Sequence, residues 1–413
     1  MSFDPLGLSP ALLLAIAEQG YAQPTPIQSG AIPVILRGGD VIGQAQTGSG
    51  KTAAFVLPLL QLLDGGSETP RKVRVLVLVP TRELAAQVGE SFRTFAARLE
   101  QRIKTGIVFG GVSINPQMMA LRGGADIVVA TPGRLLDLVE HNALQLSAVS
   151  MLVLDEADQL LDLGFSDELQ RILALLPAQR QSLFFSATFP PDVQALADRM
   201  LHDATRIEAA ATSIGAPVIA QRAIEVDANR RTQLLRHLVE EHGDDRVLVF
   251  VATKYATEIV AEKLGRAGIH AAAFHGELSQ GRRRQVLADF KARRLQVLIA
   301  TDVAARGIDI EQLEVVVNYD LPRSAVDHVH RIGRTGRAGG RGVAVSFISA
   351  DTEAHFRLIE KRQNLRVTRE RVEGFEPEAV EVSDAATPPS TGGIKGKRKS
   401  KKDKAREAAA KQE

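Results

Sequence analysis

Residues 40–63 read DVIGQAQTGSGKTAAFVLPLLQLL: a short apolar run, a turn with glycines at 48 and 50, then an amphipathic stretch of helical character. Glycine has no Cβ, so the turn can curl until several N–H groups and a helix N-terminus face one point. A phosphate requires that arrangement, with Lys51 as a point charge and Thr52 able to ligate Mg²⁺. The strict phosphate-loop pattern asks for glycine where Ala45 stands, so the match is imperfect when taken alone. The GKT placed between strand and helix favours the phosphate site over a glycine-rich turn that binds nothing.

The same alternation continues outward. VRVLVLV from Val73, DIVVA from Asp126, MLVLD from Met151 and QSLFFSAT from Gln181 are apolar runs separated by amphipathic stretches. Such runs predict buried strands of a parallel sheet with helices crossing over between them. A second set follows: RVLVFVA from Arg246, IHAAAFH from Ile269, LQVLIAT from Leu295, EVVVNYD from Glu314 and VAVSFIS from Val343. Two α/β domains in tandem are expected, over 1–208 and 220–370. The linker between them falls at 209–219, where AAATSIGAPVI lacks charge and a clear period. After about residue 375 the composition turns to Pro, Ser, Thr, Gly and Lys, which cannot bury enough apolar surface to order, so 376–413 is expected to be a disordered tail.

Composition bounds the chemistry. The chain has 413 residues, 45% of them hydrophobic, enough for two or three cored domains at about 150 residues each. Zero cysteines exclude disulfides, thiolate metal sites and cysteine nucleophiles, so any metal is held by oxygen or histidine. No uninterrupted apolar run reaches about 18 residues, and MSFDPLGLSP lacks the regions of a signal peptide, so a cytoplasmic protein is expected. Residues 395–413 carry nine Lys or Arg against three Asp or Glu, a net of +6, so the other 394 residues sum to −4 within the overall +2. A basic tail on a mildly acidic body points to a polyanionic partner, and equally suits a solvated, solubilising end.

DEAD, Asp155 to Asp158, closes the apolar run MLVL. Carboxylates at the carboxyl end of a buried strand project into the crevice where open α/β sheets bind ligands. There Asp155 can hold Mg²⁺ through water and Glu156 can orient and deprotonate an attacking water.

Further short motifs complete a pattern. Gly20-Tyr21 with PTPIQ (Pro24 to Gln28), AQTGSGKT, PTREL (Pro80 to Leu84), Gly110-Gly111, TPGR (Thr131 to Arg134), DEAD, SAT (Ser186 to Thr188), ATDVAARGID (Ala300 to Asp309) and HRIGRTGR (His330 to Arg337) occur in that order. The chain resembles the DEAD-box ATP-dependent RNA helicases from residue 3 to about 365. MSFDPLGLSP and FHGELSQGRRRQVLADF (Phe274 to Phe290) further resemble the bacterial RhlE-type branch.

The resemblance implies two tandem RecA-like domains, ATP and Mg²⁺ as cofactors, and RNA as partner. Gln46, Thr47, Gly48, Ser49, Gly50, Lys51 and Thr52 would hold the phosphates. Gln28 resembles the glutamine that pairs with adenine, an amide's donor and acceptor matching the N6 and N7 edge. Phe3 resembles the upstream aromatic near the base, with a core contact an equal alternative, and Tyr21 is a further packing candidate. Gly307 and Asp309 resemble the ribose contact. Arg334 and Arg337 look like arginine fingers, a device worth roughly 10³ to 10⁵ in rate elsewhere. Asp158, Ser186, Thr188, His330 and Arg331 would couple nucleotide state to RNA, the two hydroxyls bridging to the DEAD carboxylates.

The RNA set is Pro80, Thr81, Arg82, Gly110, Gly111, Thr131, Gly133 and Arg134 in the first domain, with Thr253, Gly276, Thr301 and Asp302 in the second. Small residues, hydroxyls and arginines suit a sugar–phosphate backbone and read no base edges, so sequence-independent binding is expected. With 4% aromatic residues and no Trp, stacking platforms are scarce. The implied activity is RNA-dependent ATP hydrolysis with local separation of short duplexes as the two domains close on one strand. An ATP-switched RNA clamp or assembly platform is the alternative, and a DNA-directed motor is disfavoured by the motif wording. The branch resemblance suggests ribosomal or RNA-degradation proteins as partners.

Overall fold

A computed structural model describes residues 2–45, 48–64, 70–208, 218–305, 313–336 and 341–378. The first lobe runs through a 3₁₀ turn (Asp4–Leu6), α1 (Pro10–Glu18), α2 (Pro26–Leu36), β1 (Val41–Gln44), α3 (Lys51–Leu63), β2 (Val75–Leu78), α4 (Arg82–Ala96) and β3 (Thr105–Val108). It continues with α5 (Asn115–Ala120), β4 (Ile127–Ala130), α6 (Pro132–Glu140), β5 (Met151–Leu154), α7 (Ala157–Asp162), α8 (Ser166–Leu175), β6 (Gln181–Ser186), α9 (Pro191–Met200) and β7 (Thr205–Glu208).

The second lobe repeats the alternation: β8 (Val218–Glu225), α10 (Arg231–Glu241), β9 (Val247–Phe250), α11 (Lys254–Arg266), β10 (Ala271–Phe274), α12 (Gln280–Lys291) and β11 (Val297–Ala300). Then come α13 (Asp302–Ala305), β12 (Val315–Asn318), α14 (Ala325–Ile332), β13 (Arg341–Ile348), α15 (Glu353–Gln363) and β14 (Arg369–Glu370).

The strands make two seven-stranded sheets, ordered β3-β4-β2-β5-β6-β1-β7 and β10-β11-β9-β12-β13-β8-β14. Every pairing is parallel. Helices flank both, so the chain is two tandem RecA-like units. The inner strands β2, β4, β5, β9 and β11 are apolar throughout because both faces are covered. Along β2, Val75 and Val77 enter one core with Phe55, Phe92 and Phe185, while Leu76 and Leu78 enter the other with Leu152 and Leu154. Strand periodicity of two thereby divides one run between two cores.

Parallel pairing also puts every strand's carboxyl end on the same edge of its sheet. The segments after β1, β2, β4, β5 and β6 carry the phosphate loop, PTREL, TPGR, DEAD and SAT, so the fold gathers motifs that lie far apart in sequence. Register fixes one junction directly: Gln44 pairs with Ser186, and the next N–H, of Ala45, donates to Ser186 O at 3.1 Å.

Four strands were not among the apolar runs. β7 and β14 are charged edge strands, and β3 is an edge strand with Gly106 at its second position. β8 opens at Val218, inside the segment expected to be the linker, and pairs with β13 over eight residues. Residues 209–217 of that segment, and the expected tail beyond Glu378, lie outside the described residues. Among the described residues no helix is long and apolar enough to cross a membrane.

Candidate active site

Gly50 caps α3 at φ +89°, and Gly48 is left-handed at +83°. Only glycine takes these angles without a steric cost. The loop is braced from outside: a Cβ on Gly50 would lie 2.5 Å from Gln28 Nε2. Gln28 is fully buried, its Nε2 donating to Gly50 O at 3.1 Å and its Oε1 accepting from Thr25 N–H at 2.9 Å in the capping box of α2. The amide expected to read adenine is thus engaged in holding the phosphate loop. Lys51 is buried and donates from Nζ to Ala45 O at 2.7 Å, across the same loop. Phe3 lies buried in the core of the first lobe. Tyr21 sets its ring edge-on to Phe95 at 6.0 Å.

Beyond β5, Asp155, Glu156 and Asp158 are all buried. Burial pushes the Asp155 carboxyl up to about 7, with the Glu156 and Asp158 charges adding and Lys51 opposing. Glu156 occupies the left-handed region at φ +52°, which costs a side-chain-bearing residue energy and recurs at functional sites. Among the described residues its Oε2 is buried without a hydrogen-bond partner. An unengaged buried carboxylate oxygen is what a general base presents to water.

Among the described residues no group of three or more His, Asp or Glu could hold a metal by itself. The oxygen donors Asp155 and Thr52, with the buried and unpartnered Ser49 Oγ nearby in the loop, suit a hard cation that arrives with phosphates.

DEAD and SAT are joined directly. Thr188 donates to Asp158 Oδ2 from its hydroxyl at 2.8 Å and from its N–H at 3.0 Å. Ser186 meets the backbone instead of a carboxylate: its Oγ accepts from Asp158 N–H at 3.3 Å and donates to Thr188 O at 2.7 Å.

In the second lobe Arg331 is buried and grips Asp302 with two parallel bonds, Nε to Oδ1 at 2.5 Å and Nη2 to Oδ2 at 2.7 Å. Its Nη1 donates to Asn318 Oδ1 at 3.1 Å and Asp320 O at 2.7 Å, and the guanidinium sits over the Phe250 ring. The residue expected to couple nucleotide state to RNA therefore ties together the strand ends of its own sheet, and holds the Asp302 expected to touch RNA. Arg334 is buried beside it and lines a small cavity with Asp327, half-buried His330 and Arg331.

PTREL, Gly110-Gly111 and TPGR converge on one cleft. A cavity of about 480 Å³ is lined by Pro80, Thr81, Arg82, Gly110, Gly111, Thr131, Gly133 and Arg134 from the first lobe and by Gly276, Arg283, Val303 and Ala304 from the second. Thr81 caps α4 by accepting from Leu84 N–H at 3.2 Å, and Thr131, at the N-terminal boundary of α6, accepts from Gly110 N–H at 3.4 Å. Arg134 is buried with Nη2 on Val112 O at 2.7 Å and Nη1 without a hydrogen-bond partner among the described residues. A methyl added at Gly110, Gly133 or Gly276 would meet nothing within 4 Å, so these glycines leave open space for a ligand backbone. Thr253, the cap of α11, and Thr301 stand outside this lining.

Comparison with known proteins agrees with that assembly. Residues 25–196 match the family model described as DEAD/DEAH box helicase, and residues 230–339 match the helicase conserved C-terminal domain. The chain is 43% identical over 366 residues to the ATP-dependent RNA helicase DeaD of Mycobacterium tuberculosis, an alignment covering 88% of this chain and 64% of that one. It is 40% identical to the DEAD-box ATP-dependent RNA helicase CshA of Bacillus cereus, over 89% of this chain and 69% of the relative. The structure of S. cerevisiae Dbp5 bound to RNA and ADP BeF3 superposes with a TM-score of 0.79 at 34% identity, covering 90% of this chain and 95% of that one. The chain belongs to the DEAD-box ATP-dependent RNA helicases. It spans less than two thirds of the length of the M. tuberculosis relative.

In this DEAD-box chain the cleft contains two features that the sequence did not announce. Phe165, past the DEAD helix α7, brings an aromatic ring to the lining. Arg283 of α12 donates from Nε to Glu83 Oε1 of PTREL at 2.7 Å, joining the lobes, while its Nη1 holds His275 O at 2.9 Å. Helix phase could have found it, since Arg283 shares the buried stripe of α12 with Val286 and Phe290. Gln46, Thr47, Gly307, Asp309 and Arg337 lie outside the described residues.

Proposed function

We propose that this DEAD-box chain is an RNA-stimulated ATPase that separates short RNA duplexes locally. The observation that carries the reading is the single cleft in which PTREL, Gly110-Gly111 and TPGR of one lobe face Gly276 and Arg283 of the other. Its lining offers hydroxyls, glycines and guanidinium groups to a sugar–phosphate backbone and little to base edges, so binding is independent of sequence.

The phosphate loop supplies N–H donors and Lys51 to ATP, and the Lys51 ammonium exchanges Ala45 O for phosphate oxygen. Glu156 takes the proton of the attacking water through its unengaged Oε2. Asp155 and Thr52 would hold Mg²⁺, which neutralises phosphate charge when bound. Arg334 and Arg337 serve as the cationic fingers, Gly307 and Asp309 contact the ribose, and Gln28 joins the adenine site to the loop it braces. The Asp158–Thr188 link carries nucleotide state toward the cleft. ATP and RNA both favour the closed lobes, so each tightens the other. MSFDPLGLSP and FHGELSQGRRRQVLADF support the RhlE-type branch, a cytoplasmic setting, and ribosomal or RNA-degradation partners. The basic tail adds salt-sensitive affinity for RNA.

Steady-state ATP hydrolysis without nucleic acid, with RNA and with matched DNA tests this. Strong stimulation by RNA alone, abolished in Glu156→Gln with ATP binding retained, is expected; equal rates in all three overturn it. The clamp reading draws on the buried Glu83–Arg283 pair that holds the lobes together. Duplex separation measured while ATP-dependent RNA binding is saturated decides between the two.

A further inference from the structure

We infer that the first lobe carries a second RNA-backbone site, at the amino edge of its sheet, where Arg93, Arg102, Lys104 and Thr105 hold phosphodiester oxygens. The inference rests on the reading of RNA as this protein's ligand. A cavity of about 420 Å³ opens there, lined by these four residues with Arg71 and Ile103. Its lining holds four cationic side chains and no carboxylate.

The buried acid behind the patch is already engaged. Asp126 is buried, lies 2.9 Å from Arg71 Nε and 3.6 Å from Arg74 Nη2, and accepts the Lys104 N–H at 2.8 Å. Arg93 lies 3.6 Å from Glu90, both exposed, a pairing that a stronger anion can displace. Arg102 and Lys104 form no ion pair among the described residues, and Lys104 Nζ is fixed by Arg122 O at 2.9 Å without losing charge. Arg71 Nη2 donates to Arg102 O at 2.7 Å, which fixes the turn carrying Arg102. Thr105 is only 9% exposed, lines this cavity, and its hydroxyl has no hydrogen-bond partner among the described residues. A buried hydroxyl left unpaired is rare, and a ligand oxygen at this position would complete it.

A second cavity of about 950 Å³ adjoins, sharing Arg71 and adding Lys72, Arg122 and His141 to the rim, again without a carboxylate. No Phe, Tyr or Trp lines either cavity and the His141 imidazole belongs to the adjoining one alone, so the chemistry the two share is recognition of phosphate. Strand β3 connects this patch to the cleft: Thr105 opens it, and Gly110-Gly111 follow its carboxyl end. Its four residues span about 13 Å at roughly 3.3 Å each. Because β3 is the edge strand, no further strand covers that path. An RNA seated in the cleft and running on along this edge reaches both sites, and the second contact then forms at high effective concentration.

The test compares wild type with Arg93→Ala/Arg102→Ala/Lys104→Ala in equilibrium binding of two labelled single-stranded RNAs. One has about 8 nucleotides, enough for the cleft alone, and the other about 40. The triple variant is expected to bind the long RNA about 10-fold more weakly, with the slope of log affinity against log salt shallower by roughly 2 for three lost phosphate contacts. Affinity for the short RNA and its stimulation of ATP hydrolysis stay within about twofold. Should the triple variant unfold, Arg93→Ala/Arg102→Ala, both on exposed side chains, carries the same comparison. Unchanged long-RNA binding overturns the site and points to an acidic protein segment as its ligand; equal loss for both RNAs overturns it as well. A wild type whose ATPase ignores RNA defeats the functional reading, while the binding arm still decides this site.

Discussion

Arg283 and Glu83, 200 positions apart, meet at 2.7 Å between the two lobes, and their side chains are 5% and 11% exposed. Arg283 also stacks over Phe274 at 4.3 Å, so the guanidinium is fixed from within its own lobe before it reaches across. A pair this buried contributes less through attraction than through the penalty for separating it, because either charge left alone lacks water. This contact therefore ties the two lobes together in the arrangement observed, and would act as a latch for the closed lobes of the proposed cycle.

Removing one side should cost about 3–5 kcal/mol in the closed state and little in the open one. Arg283→Ala is expected to lower RNA-stimulated kcat and raise the KM for RNA, leaving unstimulated ATP binding near wild type. Glu83→Ala/Arg283→Ala should recover part of the loss, since no orphaned charge remains. A double-variant cycle in steady-state ATPase measures the coupling, and strict additivity would rule the latch out.

Gly111 offers a sharper probe of the cleft. It lies at φ +73°, and a Cβ there would come within 2.0 Å of Arg82 Nη2. Arg82 is a flexible side chain, so Gly111→Ala should fold, at about 1 kcal/mol for the left-handed backbone, with the guanidinium displaced. The expected readout is a several-fold higher KM for RNA with kcat retained. A KM equal to wild type would show that Arg82 does not need its present position.

Much of this was legible in the sequence because it is local. The inner strands β2, β4, β5, β9 and β11 are unbroken apolar runs, which suits a sheet covered on both faces, and the phosphate loop and DEAD are contiguous motifs at strand ends. What escaped depends on where the chain returns in space. The edge strands β7 and β14 carry charge because one side faces solvent, and Gly106 weakens the apolar signal of β3. GRRRQ names three arginines, yet only the fold selects Arg283 as the one turned toward Glu83. The motifs say nothing of the contacts that Phe3, Gln28 and Arg331 make within the protein, which are with core residues, the phosphate loop and Asp302.

The DEAD–SAT link makes a separable prediction. Thr188→Val removes the 2.8 Å hydroxyl donor to Asp158 and leaves the 3.0 Å backbone donor in place. Losing one hydrogen bond to a charged group costs roughly 1.5–3 kcal/mol locally, too little to unfold a lobe. Duplex separation should fall by at least about tenfold while RNA-stimulated ATP hydrolysis falls less. Parallel measurement of both rates checks this. An equal fall in the two would assign Thr188 to hydrolysis itself instead of to transmission.

Acid should loosen the second lobe through His328. This residue of α14 is buried, its Nδ1 lies 3.1 Å from Gln363 Nε2, and it meets the Phe356 ring edge-on at 6.0 Å, so it joins α14 to α15. Burial lowers its pKa from 6.5 to about 4, with the Arg331 charge also lowering it and the Gln363 bond opposing. The unfolded chain therefore binds the proton first as pH falls, and stability drops progressively from about pH 6.5 toward pH 4. The ceiling of this loss is roughly 3 kcal/mol, about 2 of it by pH 5. His328→Leu keeps the Gln363 bond to Ala325 O and removes the titration. Calorimetric unfolding of full-length wild type and variant at pH 5 and pH 7.5 should show the variant losing less stability on acidification. Identical acid sensitivity would move the titration to another group.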